Sequence, residues 1–193
     1  MKEVPSNAEI MNRAGIAGLA LGAVSTAYMF IVQYLPHLIQ APVAVSIISA
    51  LLWIAKFGGC IYLMAWFMTS FAKAGNGVEQ RHTLKLGLWA AVFSALIYSA
   101  ASLANTLFIN PEGISQAFDQ ALGMYAQQLD SNSLAAIENV KESMPAITFF
   151  SNFFYCVIYG SILSSILSRN IPKNDPFAAF RNNNEGDSNV EEQ

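Results

Sequence analysis

The sequence predicts an all-α integral membrane four-helix bundle, with an extracytoplasmic amphipathic helical insert between its third and fourth spans. Three observations lead there. Residues 43–71 are almost wholly apolar, with Lys56 as their only charge, and a bilayer core takes ~20 apolar residues as helix. Of the 193 residues, 54% are hydrophobic and 12% charged, against roughly 45–50% and ~25% in soluble domains. The basic residues also gather on alternate connections, as the positive-inside rule requires of a chain that crosses repeatedly. A chain of this length is one small domain. Its formal net charge of −3 leaves no basic footprint, so nucleic acid is not an expected partner.

Residues 1–13 read as a short cytosolic tail carrying Lys2 and Arg13, and 14–169 as the membrane domain. The first span covers about 14–35 and is uncharged. It is longer than a signal-peptide core of roughly 7–15 residues, and Ala23-Val24-Ser25 is a weak cleavage site, so a retained helix is expected. Gly18 and Gly22 stand four apart, with Ala14 and Thr26 a turn to either side. Small residues at this spacing let helix backbones approach closely. Residues 36–42 read as a turn, with His37 an interfacial polar residue.

The second span, about 43–71, is too long for a plain crossing. At ~1.5 Å per residue it reaches about 43 Å, against ~30 Å of hydrocarbon. Trp53 favours an interface, so residues 43–52 are expected to project and to need apolar partners. Lys56 has two readings. It stands 17 residues from Lys73, about 25 Å of helix, so its stem could snorkel to the far interface. Alternatively it makes a buried polar contact, since an intramembrane charge is a functional hypothesis by default. Cys60 and Cys156 each lie 13 residues from the nearest base, Lys73 and Arg169, which puts the two thiols at similar depth. With no metal-ligand spacing around them, they read as small buried hydrophobes. A disulfide or redox pair is the rival.

Gly75-Asn76-Gly77 marks a turn, followed by Arg81, His82 and Lys85. The third span covers about 84–108, with Trp89 as an anchor. Gly87, Ala91, Ala95 and Ser99 repeat every four residues and give a second small-residue face. Asn110-Pro111-Glu112 then reads as a helix start. The insert, 109–146, is interrupted by polar residues and reads as amphipathic, with Pro145 closing a second short helix. The fourth span covers about 147–167. Gly160, Ser164 and Ser168 form one small stripe, and Ser161 and Ser165 another. Asn152 is 17 residues from Arg169, the count that separates Lys56 from Lys73. Lys56 and Asn152 are therefore candidates for one intramembrane polar contact. Residues 170–193 lack the apolar content to fold and are expected to form a disordered cytosolic tail.

Lys2, Arg13, Lys73, Arg81, Lys85, Arg169, Lys173 and Arg181 fall on one side, and only Lys141 on the other. Both termini are therefore expected in the cytosol. The acidic insert lies outside, where its apolar stripe is expected to cap residues 43–52. The rival, a helix lying flat on the lipid, usually has a basic polar face, and this one is acidic.

On these features the layout resembles a bacterial membrane family known as domain of unknown function 4199. The resemblance rests on Gly15, Gly18 and Gly22 in the first span, Lys56 in the second, and a glycine-rich turn before the third. It rests further on the Asn110-Pro111-Glu112 start and a fourth span ending near Arg169. It covers about 14–175 and implies four spans, no assigned activity and no catalytic residues.

No His-Glu-x-x-His, Gly-x-Ser-x-Gly or P-loop occurs. His37 and His82 fall on opposite sides, at loop positions, so no base is expected near the serines of span four. An enzyme, a metal site and a cofactor are not expected. The expected role is an accessory or scaffolding component of the inner membrane, acting through helix packing on Gly18, Gly22, Gly87, Ala91, Gly160 and Ser164. Its partners would be the lipid bilayer and either another membrane protein or a second copy of the chain. The alternative is a subunit moving an ion or small solute past Lys56 and the polar residues of span four.

Overall fold

The computed structural model describes residues 5–74, 78–113 and 131–171, together with Gln116, Asp119, Gln120 and Gly123. It is all-helical, with α1 at Asn7–Leu38, α2 at Pro42–Ala74, α3 at Gln80–Ala104 and α4 at Ser131–Asn170. A π-helical turn, Asn105–Ile109, extends α3. Each of the four helices contains a stretch long and apolar enough to cross a membrane: Asn7–Leu38, Pro42–Lys73, Gln80–Ile109 and Val140–Asn170.

The helix ends follow from local chemistry. The Ser6 hydroxyl accepts from the Glu9 backbone N–H at 3.2 Å and caps α1, which satisfies one of the four orphan donors at a helix start. At its other end α1 runs through Pro36 to Leu38, so the expected seven-residue turn shrinks to residues 39–41. Proline removes one hydrogen bond, and this close to the end that loss is small. His82 belongs to the first turn of α3 rather than to a loop. Its Nδ1 accepts from the Glu79 backbone N–H at 3.1 Å, which buries the ring.

Pro145 does not close a separate short helix, because α4 runs through it from Ser131 to Asn170. Membrane helices tolerate interior proline, since neighbouring helices and local adjustments satisfy the freed backbone groups. The second half of the expected insert is therefore continuous with the fourth span. Of the remainder, Asp119 is tied to Lys141 of α4 by a 3.1 Å ion pair. The apolar stripe that was to cap residues 43–52 lies largely outside the described residues. Val43, Ile47 and Leu51 are exposed. The tail beyond Ile171 is likewise outside the described residues.

The central element is α3, packed along α1 on one flank and α4 on the other, while α2 rests chiefly on α1 and touches α3 and α4 sparsely. The buried core joins Ile10, Ala14, Ala17 and Leu21 of α1 with Met64, Met68 and Phe71 of α2 and Leu86 and Ala90 of α3. All of these lie toward the ends that carry Arg13, Lys73, Lys85 and Arg169. There α2 is seated firmly. Toward its start it draws away, and a cavity opens between it and the other three helices.

Candidate functional site

Close packing of α1, α3 and α4 is what shapes that cavity, and glycine makes it possible. A Cβ added at Gly18 would lie 2.5 Å from the Phe93 Cβ and 2.9 Å from the Ala90 carbonyl oxygen. One added at Gly22 would lie 2.9 Å from the Ile97 Cβ. On the opposite flank of α3, a Cβ at Gly87 would collide with the Ser164 side chain, and one at Gly160 would lie 2.5 Å from the Ala91 Cβ. The small residues picked out by spacing thus meet one another between α3 and α4, while those of α1 seat against Ala90, Phe93, Ser94 and Ile97 of α3. Such approach maximises dispersion contact, which holds membrane helices together where lipid offers no hydrophobic drive.

Polar side chains pin the α3–α4 pair. The Ser164 hydroxyl donates to the Leu84 carbonyl at 3.3 Å, and Asn152 Nδ2 donates to Ser102 Oγ at 3.1 Å. Interhelical hydrogen bonds in membranes average ~0.6 kcal/mol and reach ~1.7 kcal/mol. Asn152→Leu is therefore expected to cost about 0.5–2 kcal/mol in detergent unfolding, with Ser102→Ala adding little in the same background. Fully additive losses would show that the two side chains do not act as a pair.

The cavity has a volume of ≈ 160 Å³ and takes lining residues from all four helices. Lys56 projects into it from α2, and its ammonium lies 4.9 Å from the Tyr28 ring centroid and 5.3 Å from that of Tyr98. The side chain turns toward α1 and α3. Each cation–π contact is worth about 0.5–2 kcal/mol, more where water is excluded. Asn152 is not the partner of Lys56. It bonds Ser102, one turn beyond Tyr98 on α3, so the two polar residues address neighbouring turns of one helix. Equal counts to an anchoring base fix depth but not the rotation of either helix, and rotation decides contact.

Ser25 of α1 and Ser94 of α3 add hydroxyls to the cavity wall. Cys60 and Cys156 are both free and half-buried, and both line the same cavity, at the shared depth their spacing suggested. The remaining wall is apolar and aromatic, with Leu21, Met64, Ala91, Gly160 and Leu163 beside Trp53, Phe57, Tyr155 and Tyr159. Trp53 packs on Phe57 at 4.4 Å between ring centroids, Phe57 meets Tyr159 edge-on at 5.2 Å, and Tyr159 stacks on Tyr155 at 6.5 Å. This ladder spans the loose α2–α4 interface. Among the described residues no group of three or more His, Cys, Asp or Glu is placed to hold a metal ion.

Sequence reasoning found Lys56 and the small-residue stripes but missed Tyr28 and Tyr98. A tyrosine inside a span reads as an ordinary aromatic, and only the reach of a lysine stem gives it a role. The described ion pairs, Glu9–Arg13, Glu79–Arg81 and Asp119–Lys141, involve none of the residues that line the cavity.

Comparison with known proteins adds one finding. The family described as "Protein of unknown function (DUF4199)" matches residues 14–169. No curated protein and no solved structure matches the chain.

Proposed function

The chain belongs to the DUF4199 family of unknown function, and we propose for it an accessory role in the bacterial inner membrane, exercised by binding and without catalysis. One observation carries this reading. The Lys56 side chain lines a four-helix cavity while its ammonium faces the Tyr28 and Tyr98 rings just outside that lining, with no carboxylate in ion-pair reach among the described residues. A charge within a membrane domain is expensive, and such residues mark binding or transport sites. A scaffold that only packed helices would have no use for it. The two histidines stand at helix ends, His37 in the last turn of α1 and His82 in the first turn of α3, and neither lines the cavity.

The alternation of basic ends supports cytosolic termini. Arg13, Lys73, Lys85 and Arg169 mark one end of every helix, and the packed core lies toward that end. The cavity lining then runs through the middle of the membrane, from Ala91 and Leu163, each six residues from a basic anchor, to Trp53, twenty residues from Lys73.

A second reading has an observation of its own. A cavity shared by all four helices, beside a loosely seated α2, is also what a carrier for an ion or small solute would need. Water access separates the two. In a Lys56→Cys variant lacking Cys60 and Cys156, N-ethylmaleimide should label position 56 faster than the lipid-facing Tyr62→Cys control. A charged, impermeant maleimide should label it slowly from both faces. Fast labelling by the impermeant reagent would show a water-filled path and turn the assignment to transport. Failure of N-ethylmaleimide to exceed the control would sink the cavity as a binding site.

A further inference from the structure

We propose that the Lys56 cavity receives the carboxylate head of a single-chain amphiphile, a long-chain fatty acid, entering sideways from the lipid between α2 and α4. The proposal rests on the binding reading above and names its ligand.

Charge is the first argument. The Tyr28 and Tyr98 rings offer the Lys56 ammonium their negative faces, but a quadrupole is a weaker partner than an anion in a low-dielectric site. The described acidic residues that form ion pairs are engaged outside the cavity lining. The site is thus complementary to a single negative charge, and Ser25 and Ser94 stand in the cavity wall. A carboxylate accepts through both oxygens and suits this set.

Volume is the second argument. The cavity measures ≈ 160 Å³, and an apolar cavity of ~150 Å³ holds a molecule the size of benzene. About six heavy atoms therefore fit, which is a carboxylate with its first methylenes. A phosphoglycerol head exceeds that volume.

Access is the third argument. Trp53 on α2 and Tyr155 on α4 line the cavity yet are 52% and 64% exposed, so the mouth lies between these helices. They meet there through little more than Phe57 and Tyr159. An acyl tail leaving by this mouth enters hydrocarbon directly, and its head need never cross bulk water.

Quenching of Trp53 tests the proposal. The full chain carrying Trp66→Phe and Trp89→Phe, in phosphatidylcholine nanodiscs, keeps Trp53 as its one tryptophan. It is titrated with 5-doxylstearate and, in parallel, with the methyl ester of that probe. The acid should quench Trp53 saturably, while the ester should give only the linear quenching of a probe dissolved in lipid. Lys56→Met should weaken the saturable phase roughly 10- to 100-fold, as expected for loss of a charged hydrogen bond, and Lys56→Arg should retain it.

Equal curves for acid and ester would overturn the proposal without recourse to any substitution at Lys56. A Lys56→Met curve equal to the parent would overturn it as well. Displacement of the probe by excess acetate would mean that the site takes a water-borne carboxylate, which overturns entry from lipid. The maleimide comparison is independent of these outcomes. If position 56 is labelled as expected while acid and ester behave alike, the cavity stands and the fatty acid falls.

Discussion

Gly18→Ala should loosen the bundle by about 1–3 kcal/mol in detergent unfolding, the usual cost of overpacking a filled interface. The added Cβ would meet the Phe93 Cβ at 2.5 Å, the Ala90 carbonyl oxygen at 2.9 Å and the Ser94 nitrogen at 3.1 Å. None of these atoms can rotate away, since two are backbone and the third is fixed to it. Relief therefore requires α1 and α3 to separate, which forfeits contacts along their whole length. Alanine also gains ~0.8–1 kcal/mol of helix propensity over glycine, and that gain works against the effect.

Gly15→Ala isolates this propensity gain. A Cβ there meets nothing within 4 Å, so the substitution should be neutral or stabilising by up to ~1 kcal/mol. The two variants lie one turn apart on one helix and make the same chemical change. Their transition midpoints should move in opposite directions. Equal shifts would mean that the α1–α3 contact contributes nothing to stability.

The pair also shows how far the sequence could be read. A bilayer demands long apolar helices, and a bundle in lipid demands small residues where backbones touch. Four spans and the stripes through Gly18, Gly22, Gly87, Ala91, Gly160 and Ser164 therefore stood in plain view. Spacing picked out Gly18 and Gly22, with Gly15 named only in the family resemblance, but which residues of α3 they face is decided by the rotation of α1 against α3.

The same ignorance of rotation linked Lys56 with Asn152. Depth was legible from the basic anchors, and both residues do reach neighbouring turns of α3. Their partners, the two tyrosine rings and Ser102, needed coordinates. Pro145 and His82 misled for a different reason. Sequence signals weigh the local cost of a proline or a polar ring, whereas continuity with a span offsets the first and a backbone N–H at a helix start occupies the second.

The second large effect is expected on the other flank of α3, where packing and the cavity share residues. Gly160 and Ala91 both line the cavity, and a Cβ at Gly160 would lie 2.5 Å from the Ala91 Cβ. Gly160→Ala should destabilise by about 1–3 kcal/mol. Ala91→Gly removes the opposing methyl, so adding it to Gly160→Ala should return much of the loss, although glycine in α3 itself costs ~1 kcal/mol. The cycle should show a coupling of about 1 kcal/mol or more, as residues in contact do. Because the exchange moves one methyl from α3 to α4 at the wall beside Lys56, it should also restore the saturable quenching of Trp53 that Gly160→Ala alone weakens. Additive losses, with no rescue in the double variant, would mean that α4 does not approach α3 at these positions, and the cavity would lose its floor.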